Sequence, residues 1–281
     1  MRRIRGYIQL IRPVNCLMIG FAVVIGEIIG VRGIPDLSNI VLGFLTGFLV
    51  SASAMVLNDV FDVKIDSVNE PQRPIPSGIV TITEAKVLGG LLGMLGCISA
   101  LLLGGVPFLI AIVFWVIAIL YDRFGKYLGL LGNAMVSASV AIPYIFGGIV
   151  VKELTIVIII LALMSFLANM GREVVKGIID LEGDRLINAR TLAITRGVKT
   201  ATYVSMLFII VAILMSPIPF LTGDFGIHYL IGVIIADFLM IYSLIILARG
   251  HSKNEFKKAK TMILLGMLLG LLAFLLGGLV K

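Results

Sequence analysis

The chain has 281 residues, 59% hydrophobic and only 14% charged, with a net charge of +7. A soluble domain carries roughly a quarter charged residues, so this composition excludes a water-soluble globule and points to helices in lipid. Two cysteines, Cys16 and Cys97, both in apolar runs, exclude a disulfide framework, and the positive charge does not signal nucleic acid because the basic residues flank apolar spans.

A helix needs about 20 mostly apolar residues to cross the hydrocarbon layer. Nine stretches qualify, near 10–31, 37–58, 83–104, 106–121, 128–150, 154–176, 198–217, 226–248 and 260–280. The basic start followed by an apolar run looks like a secretory signal, but it lacks a small-x-small cleavage site and many spans follow, so a retained first helix is expected. Gly104-Gly105-Val106-Pro107 is the turn that divides the third span from the fourth. The 31 glycines suit helices whose backbones approach closely. The expected fold class is therefore an all-α membrane protein, one domain over 1–281, with nine transmembrane helices in a bundle.

With the N-terminus placed inside, only Arg32, Lys152 and Lys281 of the 23 lysines and arginines fall outside. That asymmetry predicts a cytoplasmic N-terminus in the cell membrane and puts the exits of the second, fourth and sixth spans on the cytoplasmic face.

The polar residues of interest fall at those exits. The first group is Asn58-Asp59-Val60-Phe61-Asp62-Val63-Lys64-Ile65-Asp66. On a continuing helix, Asp59, Asp62 and Asp66 share one face, with Asn58 one turn from Asp62. Three carboxylates and an amide repel one another unless a cation sits among them. Hard oxygen donors without His or Cys favour Mg²⁺ or Ca²⁺. The second group is Asp180-Leu181-Glu182-Gly183-Asp184, with Asp180 and Asp184 at i and i+4; Arg172, Glu173 and Lys176 precede it, and Arg185 and Arg190 follow. The third is Tyr121-Asp122-Arg123-Phe124-Gly125-Lys126, and the loop after the first group adds the rigid turn Arg73-Pro74-Ile75-Pro76-Ser77-Gly78. Carboxylates alone would repel a diphosphate, whereas Mg²⁺ is bound through one or two carboxylates plus substrate phosphates, and the remaining phosphate oxygens suit Arg and Lys. Each acidic run by itself has a plainer reading as a solvated helix end; it is their joint placement that argues for one site. Asn15, Asn133 and Asn169 sit near the same side, as helix–helix contacts or site wall. Tyr121 is an interfacial anchor or a wall of the site.

Two acids lie inside apolar helices. Glu27 is expected to snorkel or pair near the outer end of the first span, and Asp237 has no partner adjacent in sequence. They keep open a reading of another class, a cation transporter. Against it, the other carboxylates cluster at helix exits, and no inverted repeat with broken helices is evident.

Asn58-Asp59-x-x-Asp62-x-x-x-Asp66 and Asp180-x-x-x-Asp184 resemble the paired aspartate motifs of the UbiA family of intramembrane prenyltransferases. Arg12-Pro13-x-Asn15, Arg73 to Gly78, Tyr121 to Lys126 and Arg190-Thr191-Leu192-Ala193 resemble further landmarks, in order along nearly the whole chain. The resemblance implies nine helices around a central cavity open to the cytoplasmic face, and transfer of an allylic prenyl group from a diphosphate to an acceptor. It also implies a Mg²⁺ site of Asn58, Asp59, Asp62, Asp66, Asp180 and Asp184, with Asp62, Asp66, Lys126 and Glu173 in catalysis. Asn15, Arg73, Tyr121, Lys126, Arg172, Lys176 and Arg190 would bind the substrates. Arg172-Glu173-x-x-Lys176 before Asp180 looks most like the archaeal branch that adds a second geranylgeranyl group to a glyceryl-phosphate lipid. An aromatic or tetrapyrrole acceptor is the alternative within the family. No nucleic-acid partner is expected.

Overall fold

A computed structural model describes residues 2–125, 128–186, 189–250 and 252–280. The elements are α1 (Arg2–Ile11), α2 (Pro13–Val31), α3 (Leu37–Phe61), α4 (Val63–Asn69), α5 (Ile82–Leu103), α6 (Gly105–Phe124), α7 (Leu130–Val150) and α8 (Ile156–Ile179). They continue with α9 (Leu181–Leu186), α10 (Leu192–Thr195), α11 (Val198–Met215), α12 (Ile218–Leu221), α13 (Ile227–Arg249) and α14 (Lys253–Leu279). Among the described residues eight stretches are long and apolar enough to cross a membrane: α2, α3, α5, α7, α8, Val198–Leu221, α13 and α14. The expected ninth, in α6, has a shorter apolar stretch, Gly105–Tyr121, which stops where Asp122 and Arg123 begin.

The helix boundaries follow from local chemistry. Gly104, at φ 133°, lets the chain reverse between α5 and α6 in a conformation that side chains resist. The last helix starts at Lys253, seven residues before the expected span, because Ser252 and Glu255 form a reciprocal capping box. The first expected span is broken at Arg12, which takes a left-handed conformation (φ 53°) between α1 and α2. Pro13 biases the residue before it away from the helical region. The short α1 is amphipathic: Gly6 and Leu10 are buried while Ile4 and Ile8 are exposed.

Packing divides the bundle into linked groups. α2 packs on α3, α7 and α14, and α8 packs on α7, α11 and α14. One apolar cluster joins Ile25, Ile29, Tyr144, Ile158, Tyr229 and Phe274. A second holds the C-terminal half of α8 to α11, α13 and α14 through Val175, Ile179, Ile209, Leu247 and Ile263. A third joins α1, α3, α5 and the 74–80 loop through Leu10, Val56, Ile75, Val80 and Ala85. α3 and α8, which carry the two acidic motifs, are bridged by α2 and α7 and do not pack extensively on each other.

Small residues set the closest contact. A Cβ on Gly26 would lie 2.2 Å from the Tyr144 carbonyl oxygen, and one on Gly147 would lie 2.1 Å from the Val23 carbonyl oxygen. Both neighbours are backbone and cannot rotate away, so α2 and α7 approach only because both positions are bare. Gly26→Ala and Gly147→Ala are each expected to destabilise by about 1–3 kcal/mol or more through overpacking. Gly90→Ala, whose new methyl meets nothing within 4 Å, is expected to be neutral or to stabilise by up to about 1 kcal/mol. Thermal unfolding in detergent checks the ranking.

Candidate functional site

Both acidic motifs straddle a helix break. α3 ends at Asp62 (φ −89°, ψ 0°) and the chain re-enters a helix as α4; α8 ends at Asp180 (φ −94°, ψ 10°) before α9. The single continuous stripe expected from spacing is thus a bent one. Even so, Asp59, Asp62 and Asp66 are all buried, at 4%, 7% and 6% exposure.

Burial of several carboxylates calls for counter-charge. Two arginines supply it. Arg12 Nη2 lies 2.5 Å from Asp59 Oδ1. Arg73 Nη1 lies 3.5 Å from that same oxygen and 2.8 Å from Asp66 Oδ2, while its Nε lies 2.5 Å from Glu70 Oε2. Burial works against the charge on Arg73, yet Glu70, Asp66 and Asp59 together hold its guanidinium above the ordinary value. The turn that carries Arg73 is tied by backbone donation from Ser77 to Arg73 O, Gly78 to Ile75 O and Val80 to Pro74 O, each at 3.0 Å. α1 packs over it, since a Cβ on Gly6 would lie 2.8 Å from Ile79 Cγ2. Spacing arguments overlooked the Arg12–Asp59 pair and Glu70; the available signal was the Arg-Pro step, which disfavours a straight helix through Arg12.

The second motif is more open. Asp180, Glu182, Arg185 and Arg190 are exposed and Asp184 is half-buried. Above it, Glu173 (8% exposed) lies 2.8 Å from Arg172 Nη1 and 3.5 Å from Lys176 Nζ. Arg172 Nε is buried with no partner, as is Thr191 Oγ1. Thr191 borders Gly177 on α8 at 3.4 Å from an added Cβ. The third group meets this side: a Cβ on Gly129 (φ 56°) would lie 2.4 Å from Arg190 O, and Tyr121 packs its ring on Gly125. Lys126 lies outside the described residues. Asn15 is exposed just past the α1–α2 break.

Other expectations resolve differently. Asn169 donates to Ser137 Oγ at 3.2 Å, which makes it a contact between α7 and α8. Asp237 is not without a partner: Ser216 Oγ donates to it at 2.6 Å, and Tyr229 donates to Ser216 O. Glu27 neither snorkels nor pairs. It is fully buried with both carboxylate oxygens unpartnered, pressed against Gly43 of α3.

The donor set suits a hard divalent cation: buried carboxylate oxygens with Asn58 adjacent in sequence, and neither His nor Cys within the two acidic motifs. Among the described residues no three carboxylate, His or Cys side chains converge as a ready-made metal group. Arginines engage Asp59 and Asp66, and α2 and α7 each pack on both of the helices that carry the motifs, α3 and α8.

The model of the UbiA prenyltransferase family matches residues 19–272. The chain belongs to that family. A digeranylgeranylglyceryl phosphate synthase of Methanococcus maripaludis (strain C6) is 36% identical over 279 residues, 99% of this chain and 99% of the relative. A solved structure of digeranylgeranylglyceryl phosphate synthase matches with TM-score 0.83 and 33% identity over 99% of each chain. A UbiA homolog from Archaeoglobus fulgidus, solved bound to GPP and Mg²⁺, matches with TM-score 0.70 at 19% identity over 96% of this chain and 99% of that one, which speaks to the fold alone. As a UbiA member the chain is a multi-pass membrane protein.

In this UbiA chain the two acidic motifs differ in what they hold up. Asp59→Ala leaves two partly buried guanidiniums without their shared oxygen. It is expected to cost about 2–3 kcal/mol, below the ~3–5 of a fully buried pair because Arg12 and Arg73 keep some solvent. Asp180→Ala, at an exposed position, is expected to stay within about 0.5 kcal/mol. Thermal unfolding of both variants decides it; equal losses would mean that Asp59 is not held as described.

Proposed function

We propose that this chain transfers a geranylgeranyl group from geranylgeranyl diphosphate to geranylgeranylglyceryl phosphate, releasing diphosphate, as a step in archaeal ether-lipid synthesis. The observation that carries this is 36% identity along the full length of a digeranylgeranylglyceryl phosphate synthase, in a chain whose buried acidic and basic groups suit two anionic lipids.

One domain over 1–281 performs the reaction. The site and the N-terminus face the cytoplasm of the cell membrane, a placement supported by the lysine and arginine asymmetry. Asn58, Asp59, Asp62, Asp66, Asp180 and Asp184 would hold Mg²⁺, with Asp62 and Asp66 also serving catalysis. Held there, the metal would supply Lewis acidity for departure of the diphosphate from the allylic carbon. Arg73 and Lys126 take diphosphate oxygens. Arg172 and Lys176 take the phosphate of the acceptor, for which the unpartnered Arg172 Nε is an available donor. Glu173, held between those two cations, takes the proton of the acceptor hydroxyl as its oxygen attacks the allylic carbon. Asn15, Tyr121 and Arg190 line the approach.

A cavity of about 100 Å³ between α2, α7, α8, α11, α13 and α14 gives an isoprenoid chain an apolar path. Met18, Met164, Met240 and Met267 line it, and such unbranched side chains re-pack at low cost.

The test is turnover of labelled geranylgeranyl diphosphate in detergent with Mg²⁺, offering geranylgeranylglyceryl phosphate in one reaction and 4-hydroxybenzoate in the other, with Asp62→Asn beside each. Product only with the glyceryl phosphate, reduced at least about 100-fold in the variant, is the expected result. Product only with the aromatic acid moves the acceptor assignment, and no Mg²⁺-dependent product with either overturns the transferase reading.

A further inference from the structure

We infer that Arg12 and Arg73 are exchangeable counter-ions of the acidic site, which hold its carboxylates until metal and diphosphate arrive together and then pass to the diphosphate. This rests on the metal-site reading above and adds an order of events to it.

The geometry supplies the argument. Arg12 and Arg73 converge on one oxygen, Asp59 Oδ1, at 2.5 Å and 3.5 Å, and Arg73 also reaches Asp66 and Glu70. Asp59, Asp62, Asp66 and Glu70 against Arg12 and Arg73 leave two negative charges, the charge of one divalent cation. A cation entering alone would have to push guanidiniums off Asp59 and Asp66 and leave those guanidiniums without partners, which is costly for groups only 32% and 26% exposed. A cation entering with a diphosphate brings the anion that the freed guanidiniums need, and a planar guanidinium binds phosphate as well as it binds carboxylate.

The mounts fit such an exchange. Arg12 stands at the break between α1 and α2, and Arg73 stands on the turn over which α1 packs. The two mounts share one apolar cluster, in which Leu10 of α1 joins Ile75 and Val80 of the turn, so movement at one is expected to be felt at the other.

Linkage then requires that metal and diphosphate raise each other's affinity, by the 5- to 150-fold typical of coupled sites, about 1–3 kcal/mol. The full chain in detergent is titrated with Mn²⁺ as a spectroscopic stand-in for Mg²⁺, with and without inorganic diphosphate, corrected for the Mn²⁺–diphosphate complex measured without protein. Bound Mn²⁺ is read by electron paramagnetic resonance for the wild type, Arg12→Gln, Arg73→Gln and Arg73→Lys. The expected result is weak Mn²⁺ binding alone and at least about tenfold tighter binding with diphosphate in the wild type. The glutamine variants are expected to bind Mn²⁺ alone more tightly and to lose most of the diphosphate effect. Arg73→Lys keeps the charge but cannot span Asp59, Asp66 and Glu70 at once, so it falls between and guards against a glutamine variant that misfolds. Unchanged or weaker metal-only binding in the arginine variants, with the diphosphate effect intact in the wild type, overturns the exchange while leaving the metal site standing. No Mn²⁺ binding by the wild type even with diphosphate overturns both.

Discussion

Asp59 shares one carboxylate oxygen between Arg12 and Arg73, and much of the site end depends on that contact. It is a carboxylate at 4% exposure near the end of an apolar helix, where an ionised group survives only with counter-charge. One partner comes from the break between α1 and α2, the other from the turn after α4. A single buried oxygen thereby ties the α1–α2 break and the 73–80 turn to the end of α3. The apolar contacts of Leu10, Val56, Ile75 and Val80 seal the same corner.

The second acidic motif is built on a different principle. Asp180 and its neighbours are largely exposed, and the nearby buried charge, Glu173, is matched along its own helix by Arg172 and Lys176. The first motif is instead buried and tied to arginines from two other segments of the chain. A tight half that arginines only partly neutralise and an open half suit the proposed reaction, in which one substrate brings a metal-bound diphosphate and the other brings its own phosphate.

At the opposite extreme of polarity, the α2–α7 contact is made by absence. Gly26 and Gly147 let two backbones meet at a distance no side chain permits, which in lipid substitutes for a hydrophobic driving force that helices there lack. Glu27, one residue on, is enclosed by the same approach and rests against Gly43. The intramembrane acids thus have separate explanations: Asp237 is satisfied by Ser216, while Glu27 is enclosed without a polar partner.

The sequence by itself determined the all-helical membrane character, the positions of most spans and the helix exits where the acidic motifs lie. These follow from lipid thickness and the cost of charge in hydrocarbon, which act on local composition. It also carried the family through the Asn58-to-Asp66 and Asp180-to-Asp184 spacings. Only the tertiary structure decided that Arg12 and Arg73 meet at Asp59, that Glu70 joins them, that Asn169 serves Ser137, and that Asp237 finds Ser216. It also decided that both acidic stripes bend at Asp62 and Asp180 rather than running on as straight helix. The reason is distance along the chain: Arg12 and Asp59 are 47 residues apart and Asn169 and Ser137 are 32 apart. Hydropathy and periodicity report what each helix must do with its own surface, and are silent on which distant side chain will share a buried charge.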